Sequence, residues 1–166
     1  MKNLLFVCGP NGIGKTTVCR RLVELREGTA YVDSDPCRLM NPFVLDDVTI
    51  PVIARNIAGM IRNYWDCPYV DTVVFSYGFH GRRKEVFEAV LRQISDVEYT
   101  FLPVLLECSE EENIRRMQKD ERDPARIRRA VEISRNAFAD TDYLRMDITH
   151  CTVDKTAEAL MKLLPQ

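Results

Sequence analysis

The sequence predicts an α/β protein in which helices cover both faces of a parallel β-sheet. Five short apolar stretches have the length of buried strands, and segments with helical spacing of apolar residues alternate with them. Strands that alternate with helices form parallel sheets, because each helix carries the chain back across the sheet. At 166 residues the chain has the size of one domain. We therefore predict a single domain over residues 1–166.

The first predicted unit is a strand, a glycine-rich loop and a helix. The apolar run 4–8 predicts the strand, and apolar positions spaced along 15–25 predict the helix, for which Gly28 is the expected C-terminal cap. A second short strand is predicted over 30–32. It ends at Asp-Ser-Asp-Pro, residues 33–36, where small polar residues and a proline interrupt it.

The middle of the chain predicts a long helix and a third strand. Residues 37–50 show no regular pattern, and a helix is predicted over 51–65 with Pro51 in its first turn. The apolar stretch 72–75 predicts the third strand. A loop over 76–81 follows it and leads into a further helix of about a dozen residues.

Two further strands are predicted in the last part of the chain. Residues 101–106 form the fourth, and Ser109 followed by acidic residues at 110–112 predicts a capped helix start. Residues 144–148 form a weaker fifth strand, after which Thr152 is the expected cap of the last helix.

Composition and charge are typical of a soluble globular protein. Hydrophobic residues make up 46% of the chain and charged residues 29%. The net charge of -2 argues against a surface built to bind nucleic acid. No apolar run approaches the ~20 residues of a membrane helix, and the six cysteines lack zinc-ligand spacing. We expect a cytoplasmic monomer or dimer with reduced thiols and no membrane contact.

A phosphate-binding motif lies between the first strand and the first helix. Residues 9–16, Gly-Pro-Asn-Gly-Ile-Gly-Lys-Thr, match G-x-x-x-x-G-K-[ST] at every defined position. Its glycines let successive N–H groups point at phosphate oxygens, and the helix start adds partial positive charge. Lys15 supplies charge to the transferring phosphate, and the Thr16 hydroxyl is placed to bind Mg²⁺. The predicted ATP-binding residues are Gly9, Asn11, Gly12, Ile13, Gly14, Lys15, Thr16 and Thr17.

The acidic residues of the chain differ from those of nucleotide-hydrolysing proteins. In P-loop ATPases an apolar strand usually ends in Asp, whereas the third strand here runs into Ser76 and Tyr77. The Asn-Lys-x-Asp stretch of guanine-specific switches does not occur. Instead, Asp33 and Asp35 follow the second strand. This distribution favours a kinase over an ATPase or a GTPase.

With these motifs, nearly the whole chain resembles the small P-loop kinases, the group that contains shikimate, gluconate, adenylylsulfate, adenylate and antibiotic kinases. The resemblance implies a three-layer P-loop NTPase fold with strand order 2-3-1-4-5 and a small lid. Asp33 and Asp35 match the D-x-D of the shikimate-kinase-like members. The match implies that one carboxylate serves Mg²⁺ and the other touches the acceptor hydroxyl. Asp33 is the candidate metal ligand with Thr16, and which carboxylate is the base is open.

A basic segment after the fourth strand matches the arginine-bearing lid of these kinases. Residues 115–135 carry eight basic side chains, and we expect the lid over about 115–128. The lid candidates are Arg115, Arg116, Lys119 and Arg122, of which the three arginines are the candidate catalytic residues. A solvated helix face is the alternative explanation for each of them. Thr149 matches the loop that wraps the adenine in these kinases.

The acceptor is expected over the carboxyl ends of the second and third strands, under segment 37–66. Arginines there either clamp an anionic acceptor or are ordinary surface residues. The loop 78–82 matches neither the Gly-Phe-Pro-Arg of adenylate-kinase-like enzymes nor the glycine cluster of shikimate kinases. Basic residues after it oppose the helix dipole, which favours a functional role. The candidate acceptor-binding residues are Arg38, Arg55, Arg62, Phe79, His80 and Arg82.

The main functional hypothesis is an ATP-dependent, Mg²⁺-dependent kinase acting on a hydroxyl or phosphate of a small molecule or nucleotide. One alternative is a kinase of nucleic-acid 5′ ends, which the net charge of -2 disfavours. The other is a non-catalytic ATP-binding regulatory module. The sequence does not identify the acceptor.

Overall fold

A five-stranded parallel sheet lies at the centre of the computed structural model, which describes residues 1–165. The strands are β1 (Lys2–Cys8), β2 (Thr29–Asp33), β3 (Thr72–Ser76), β4 (Tyr99–Glu107) and β5 (Leu144–Asp147). Their order is β2-β3-β1-β4-β5, and every neighbouring pair is parallel. The predicted order 2-3-1-4-5 is confirmed.

Seven helices within residues 1–165 accompany the strands and cover both faces of the sheet. They are α1 (Lys15–Leu25), α2 (Ser34–Cys37), α3 (Thr49–Trp65), α4 (Arg83–Gln93), α5 (Glu110–Lys119), α6 (Pro124–Ala137) and α7 (Val153–Met161). Helices α1 and α7 pack on one face, and α3 and α4 on the other. No helix in this part of the chain is both long and apolar enough to span a membrane.

Strand β1 shows why the core has two halves. Leu5 and Val7 pack against α1 and α7, whereas Leu4 and Phe6 pack against α3 and α4. Successive side chains of a strand point to opposite faces, so a strand covered on both sides is apolar throughout. The ring of Phe6 stacks on that of Phe87 in α4, with 4.3 Å between centroids.

The helix starts follow from capping side chains. Ser109 accepts a hydrogen bond from the amide of Glu112 at 3.2 Å, and Thr152 accepts one from Lys155 at 3.3 Å, as predicted. Helix α3 begins at Thr49, two residues before Pro51, because the Asp46 carboxylate accepts the amide of Thr49 at 2.9 Å.

Helix α2 is a short element that the sequence pattern did not predict. The Asp33 side chain accepts the amide of Asp35 at 3.1 Å and so caps a single helical turn. The predicted turn at 33–36 is therefore helical. Its effect is to hold the residues just after β2 close to the end of the strand.

The basic segment forms a helical hairpin from α5 and α6, joined by residues 120–123. Asp123 accepts the amides of Ala125 and Arg126 at 2.8 and 3.1 Å and caps α6. The two helices enclose their own apolar cluster, which consists of Met117, Ile127, Ala130 and Val131 with Ile114 packed against it. Most of the predicted lid segment 115–128 is thus helical.

Candidate functional site

A cleft of about 810 Å³ lies at the carboxyl ends of β1, β2 and β3, beside the α5–α6 hairpin. Ligands of open α/β sheets bind at this edge. The basic residues that line it are Lys15, Arg38, Arg83, Arg122, Arg126 and Arg129, and the acidic ones are Asp33, Asp35 and Asp120. Positive side chains therefore outnumber negative ones in the cleft.

The glycine-rich loop forms one wall of the cleft. Gly12 and Gly14 have φ angles of 84° and 101°, in the left-handed region that favours glycine. A Cβ atom at Gly12 would lie 2.2 Å from Cγ of Met117, so this glycine also lets α5 pack against the loop. The predicted residues that line the cleft are Asn11, Gly12, Gly14, Lys15, Thr16 and Thr17. Ile13 is buried behind the loop, and Gly9 contributes its carbonyl oxygen.

Lys15 is held by its own loop. Its Nζ donates hydrogen bonds to the carbonyl oxygens of Gly9 at 2.8 Å and Pro10 at 2.9 Å. Burial lowers the pKa of Lys15 to about 8. The ammonium group thus carries its charge at neutral pH in a place where that charge is poorly hydrated.

Asp33 and Asp35 both line the cleft but have different partners. Asp35 is exposed and accepts hydrogen bonds from Arg38, whose Nη2 is 2.5 Å and whose Nε is 3.2 Å from its Oδ1. Asp33 is half-buried at the end of β2, and its Oδ1 caps the amide of Asp35. Thr16 lines the same cleft, so residues with oxygen donors of the kind that Mg²⁺ prefers border one space here.

The end of β3 carries an uncharged polar pair instead of an acid. Ser76 lies opposite Asp33 in the sheet register and shares a 2.6 Å hydrogen bond with the hydroxyl of Tyr31. Burial raises the pKa of Tyr31 to about 12, so the pair is neutral. The position where ATPases usually carry a strand-end carboxylate is therefore occupied by a hydroxyl.

The loop after β3 brings His80 into the cleft but not its two predicted neighbours. Burial, assisted by Arg83, lowers the pKa of His80 to about 4, so its imidazole is neutral at neutral pH. Phe79 is buried in the core. Arg82 turns to the surface and pairs with Asp47 and Glu85.

Arg83 is the cleft residue that takes the place expected for Arg82. It is half-buried, and burial together with Arg38 lowers its pKa. Its Cζ lies 5.9 Å from the ring centroid of Tyr77, which also lines the cleft. The basic run at the start of α4 signalled a role, but it did not show which of these side chains faces inwards.

Of the three predicted arginines in segment 37–66, only Arg38 lines the cleft. Arg62 donates to the carbonyl oxygen of Gln93 and to the carboxylate of Asp96, so it joins α3 to the far end of α4. Arg55 is exposed and lies outside the cleft. Because α3 turns its apolar side to the sheet, the structure does not bring the predicted arginine clamp together.

The hairpin presents a different set of arginines from the predicted one. Arg122 lines the cleft as expected, and it is accompanied by Arg126 and Arg129, which were not among the predicted lid residues. Arg126, Arg129 and Ile133 recur at intervals of three and four, so they share one face of α6. That spacing was the signal available in the sequence. Lys119 is exposed and does not line the cleft.

Arg115 and Arg116 lie outside the cleft. Arg115 is exposed and pairs with Glu112, with Nε 2.6 Å from the carboxylate. Arg116 donates to the carbonyl oxygens of Ile13 at 2.9 Å and Ile148 at 2.8 Å, and so ties α5 to the phosphate-binding loop and to the β5–α7 loop. Hydrogen bonds from Arg115 and Arg116 lower the pKa of Glu112 to about 2.

Thr149 shapes the loop after β5. Its hydroxyl accepts the amide of Ser109 at 3.0 Å and donates to the carboxylate of Asp147 at 2.6 Å. The hydroxyl is thus used within the protein, and Thr149 does not line the cleft.

Solved structures with the same fold match nearly the whole chain. A tunicamycin resistance protein from Deinococcus radiodurans is 14% identical, with a TM-score of 0.71 and coverage of 98% of this chain and 95% of that one. A gluconokinase from Sinorhizobium meliloti 1021 is 16% identical, with a TM-score of 0.61 and coverage of 97% and 93%. A shikimate kinase from Acinetobacter baumannii is 18% identical, with a TM-score of 0.59 and coverage of 98% and 93%. The fold predicted from the resemblance to small P-loop kinases is confirmed.

Comparison with curated protein sequences finds no significant match. A family model described as an AAA domain matches residues 5–137, from β1 to the end of α6. This range is well over half of the chain and contains the phosphate-binding loop, the residues after β2 and the α5–α6 hairpin. The chain belongs to the AAA domain family.

Proposed function

We propose that this protein is a kinase that transfers the γ-phosphate of ATP to a hydroxyl or phosphate group of a small molecule or nucleotide, with Mg²⁺ as its cofactor. The observation that carries the proposal is the cleft itself. It places the phosphate-binding loop, the carboxylates of Asp33 and Asp35, and the arginines of the α5–α6 hairpin around one space. Proteins of the same fold named as gluconokinase and shikimate kinase support it.

The loop residues fit the phosphates of a nucleotide. The space around Gly14 is open, since a Cβ atom there would meet no atom within 4 Å, and Lys15 and Thr17 line the same wall. Backbone N–H groups and the start of α1 favour an anion at this place. Lys15 neutralises part of the phosphate charge when it exchanges its loop carbonyls for phosphate oxygens.

Mg²⁺ fits the oxygen donors of Thr16 and Asp33. Both line the cleft, and Asp33 forms no ion pair within residues 1–165, so its carboxylate retains free oxygen lone pairs. When bound, the ion neutralises charge on the phosphates and orients them. Asp35 is oriented by Arg38 and is the better placed of the two to accept the proton of the acceptor hydroxyl.

The α5–α6 hairpin is proposed as the lid, with Arg122, Arg126 and Arg129 contacting the transferring phosphoryl group. Guanidinium groups stabilise the charge that spreads over its oxygens, and a closed lid excludes water from it. Ser76 stands where P-loop ATPases carry the strand-end carboxylate that helps to hold Mg²⁺, so in this cleft that role falls to Asp33 after β2.

Asp33→Asn and Asp35→Asn separate a kinase from a non-catalytic module. ADP formation is measured with a panel of hydroxylated small molecules, nucleotides and 5′-hydroxyl oligonucleotides, against the rate without acceptor. We expect Asp35→Asn to keep ATP affinity and to lose at least roughly 100-fold in acceptor-dependent rate, because the base is gone. Asp33→Asn is expected to weaken the Mg²⁺ dependence of nucleotide binding.

Asp66→Asn is the matched control, since this exposed residue at the end of α3 lies outside the cleft. ATP binding without any acceptor-dependent ADP formation would identify a binding module. Full transfer by both cleft variants would contradict the assignment of the carboxylates.

A further inference from the structure

Arg83 is a half-buried cation on the wall of the cleft. None of the ion pairs formed by residues 1–165 includes it, whereas the adjacent Arg82 pairs with two carboxylates. It also lies at the start of α4, where the helix dipole disfavours positive charge. Burial and the nearby Arg38 lower its pKa, which reflects the cost of keeping this charge here. An anion bound at this place would remove that cost.

Tyr77 adds a second unsatisfied donor on the same wall. The side chain is 1% exposed, it lines the cleft, and its hydroxyl has no hydrogen-bond partner in the described structure. Buried hydroxyl groups nearly always have one. The guanidinium of Arg83 lies over its ring, 5.9 Å from the centroid. The hydroxyl is itself closed off from solvent, so a group bound beside Arg83 would accept its hydrogen bond only after displacing the atoms that cover it.

Gly78 gives the Arg83 side chain room on this wall of the cleft. A Cβ atom at this position would approach Nη1 of Arg83 to 3.1 Å. His80 borders the same part of the cleft and is neutral at neutral pH, so it adds neither a competing anion nor a further charge. The loop after β3 thus accommodates the guanidinium of Arg83 and leaves this side chain on the wall of the cleft.

This position comes from a different segment of the chain than the phosphate cradle, although both line one cleft. The cradle belongs to the loop between β1 and α1, whereas Tyr77 and Arg83 belong to the connection between β3 and α4. Asp35, the proposed base, follows β2, the strand that neighbours β3. A molecule anchored here would lie between the proposed base after β2 and the nucleotide at the end of β1.

We propose that Arg83 and Tyr77 form a second anion-binding position in the cleft, which holds a carboxylate or phosphate group of the phosphoryl acceptor. The inference rests on the proposed kinase function and specifies its substrate class. The acceptor is a small molecule that carries an acidic group in addition to the group that is phosphorylated. Neutral alcohols carry no anionic group to balance the positive charge of Arg83, so they are not the expected acceptors.

The test uses the two histidines of the chain as reporters, His80 in the cleft and His150 outside it. The protein is first saturated with MgADP, so that the phosphate cradle is filled, and inorganic phosphate is then titrated while the imidazole proton signals are followed. We expect a saturable shift of the His80 signal and none of the His150 signal. Acetate titrated in the same way shows whether a carboxylate or a phosphate is preferred.

Arg83→Met is expected to weaken phosphate binding by at least roughly tenfold, and Tyr77→Phe by a few-fold, because each removes a donor to the anion. Arg83→Lys keeps the charge and is expected to restore part of the affinity. Arg92→Met, an exposed arginine at the other end of α4, is the matched control. MgADP affinity of each variant verifies that the fold is intact.

Three results would overturn the inference. They are no saturable His80 shift, an unchanged phosphate affinity in Arg83→Met, and phosphate binding that occurs with MgADP but is blocked by a non-hydrolysable MgATP analogue. The last result would assign Arg83 to the γ-phosphate of the donor. Failure of MgADP itself to bind would instead contradict the proposed function, so the two failures are distinguishable.

Discussion

The ammonium group of Lys15 lies between two carbonyl oxygens of its own loop, where burial lowers its pKa to about 8. A phosphate that replaces those carbonyls stabilises the charged form, so phosphate binding raises this pKa. Binding and protonation of one side chain are therefore linked, and the link operates just above neutral pH.

We predict that ATP affinity falls by about tenfold between about pH 7 and about pH 9, because the free protein loses the Lys15 proton as pH rises through its lowered pKa. Calorimetry in buffers of different ionisation enthalpy should show net proton uptake on binding above about pH 8. Lys15→Met should bind more weakly and lose this dependence, whereas Lys84→Met, on the exposed side of α4, should keep it. A pH-independent affinity of the unmodified protein would contradict the prediction.

Local spacing made the phosphate-binding loop predictable, because the chemistry of the motif lies within eight consecutive residues. The choice between Arg82 and Arg83 was not predictable in this way. It depends on where α4 begins and on Asp47, a residue of a distant loop that pairs with Arg82. Arg62 was misplaced for the same reason, since its partners Gln93 and Asp96 come from the end of α4.

At the scale of elements, the contact between α5 and the phosphate-binding loop connects the proposed lid to the proposed donor site. Met117 is fully buried in the hairpin cluster and lies directly over Gly12. Arg116 adds two hydrogen bonds from α5, to Ile13 and to Ile148. The conformation of the loop is thus coupled to the position of the hairpin.

Gly12→Ala and Gly14→Ala test this coupling, because both residues have left-handed φ angles but only the first contacts α5. Gly14→Ala should cost about 1 kcal/mol of unfolding free energy for backbone strain. Gly12→Ala should cost roughly 2–4 kcal/mol, since its methyl group also overlaps Met117. Urea unfolding measures both.

The double variant Gly12→Ala/Met117→Ala should be destabilised by less than the sum of its single variants, because the shorter side chain makes room for the added methyl. Equal costs for the two glycine variants would show that the hairpin does not press on the loop.

Periodicity predicted the type and order of the long elements, because buried strands and amphipathic helices repeat their apolar residues at fixed intervals. Among the long elements it did not predict α6 as a separate helix. It also missed α2 and the first residues of α3. Both depend on single carboxylates, Asp33 and Asp46, that cap a turn of helix within segments that contain proline or lack a pattern.

At the scale of the whole molecule, charge is divided unevenly. The chain carries a net charge of -2, yet six basic and three acidic side chains line the cleft. Fields near a cleft depend on the local charges more than on the total. An anionic ligand is therefore attracted to the cleft although the protein as a whole is negative.

This uneven distribution of charge determines whether added salt raises or lowers the association rate of ATP. We predict that the association rate of ATP, measured by stopped-flow fluorescence, falls by several-fold when the ionic strength rises from about 0.02 M to about 0.5 M. If the net charge of -2 governed the encounter, the protein would repel ATP and added salt would raise the association rate. Arg129→Glu should slow association more than Arg128→Glu, because the two variants change the net charge equally but only Arg129 lines the cleft. Equal effects of the two would contradict the argument.

The separate hydrophobic cluster of the α5–α6 hairpin has a consequence for how this protein can evolve. Met117, Ile127, Ala130 and Val131 are packed among themselves and not in either half of the main core. Residues on the cleft face of α6 can therefore change without repacking the sheet. The cleft face of α6 is therefore the part of the hairpin through which the scaffold can acquire new chemical partners, while α5, which packs against the phosphate-binding loop, stays the same.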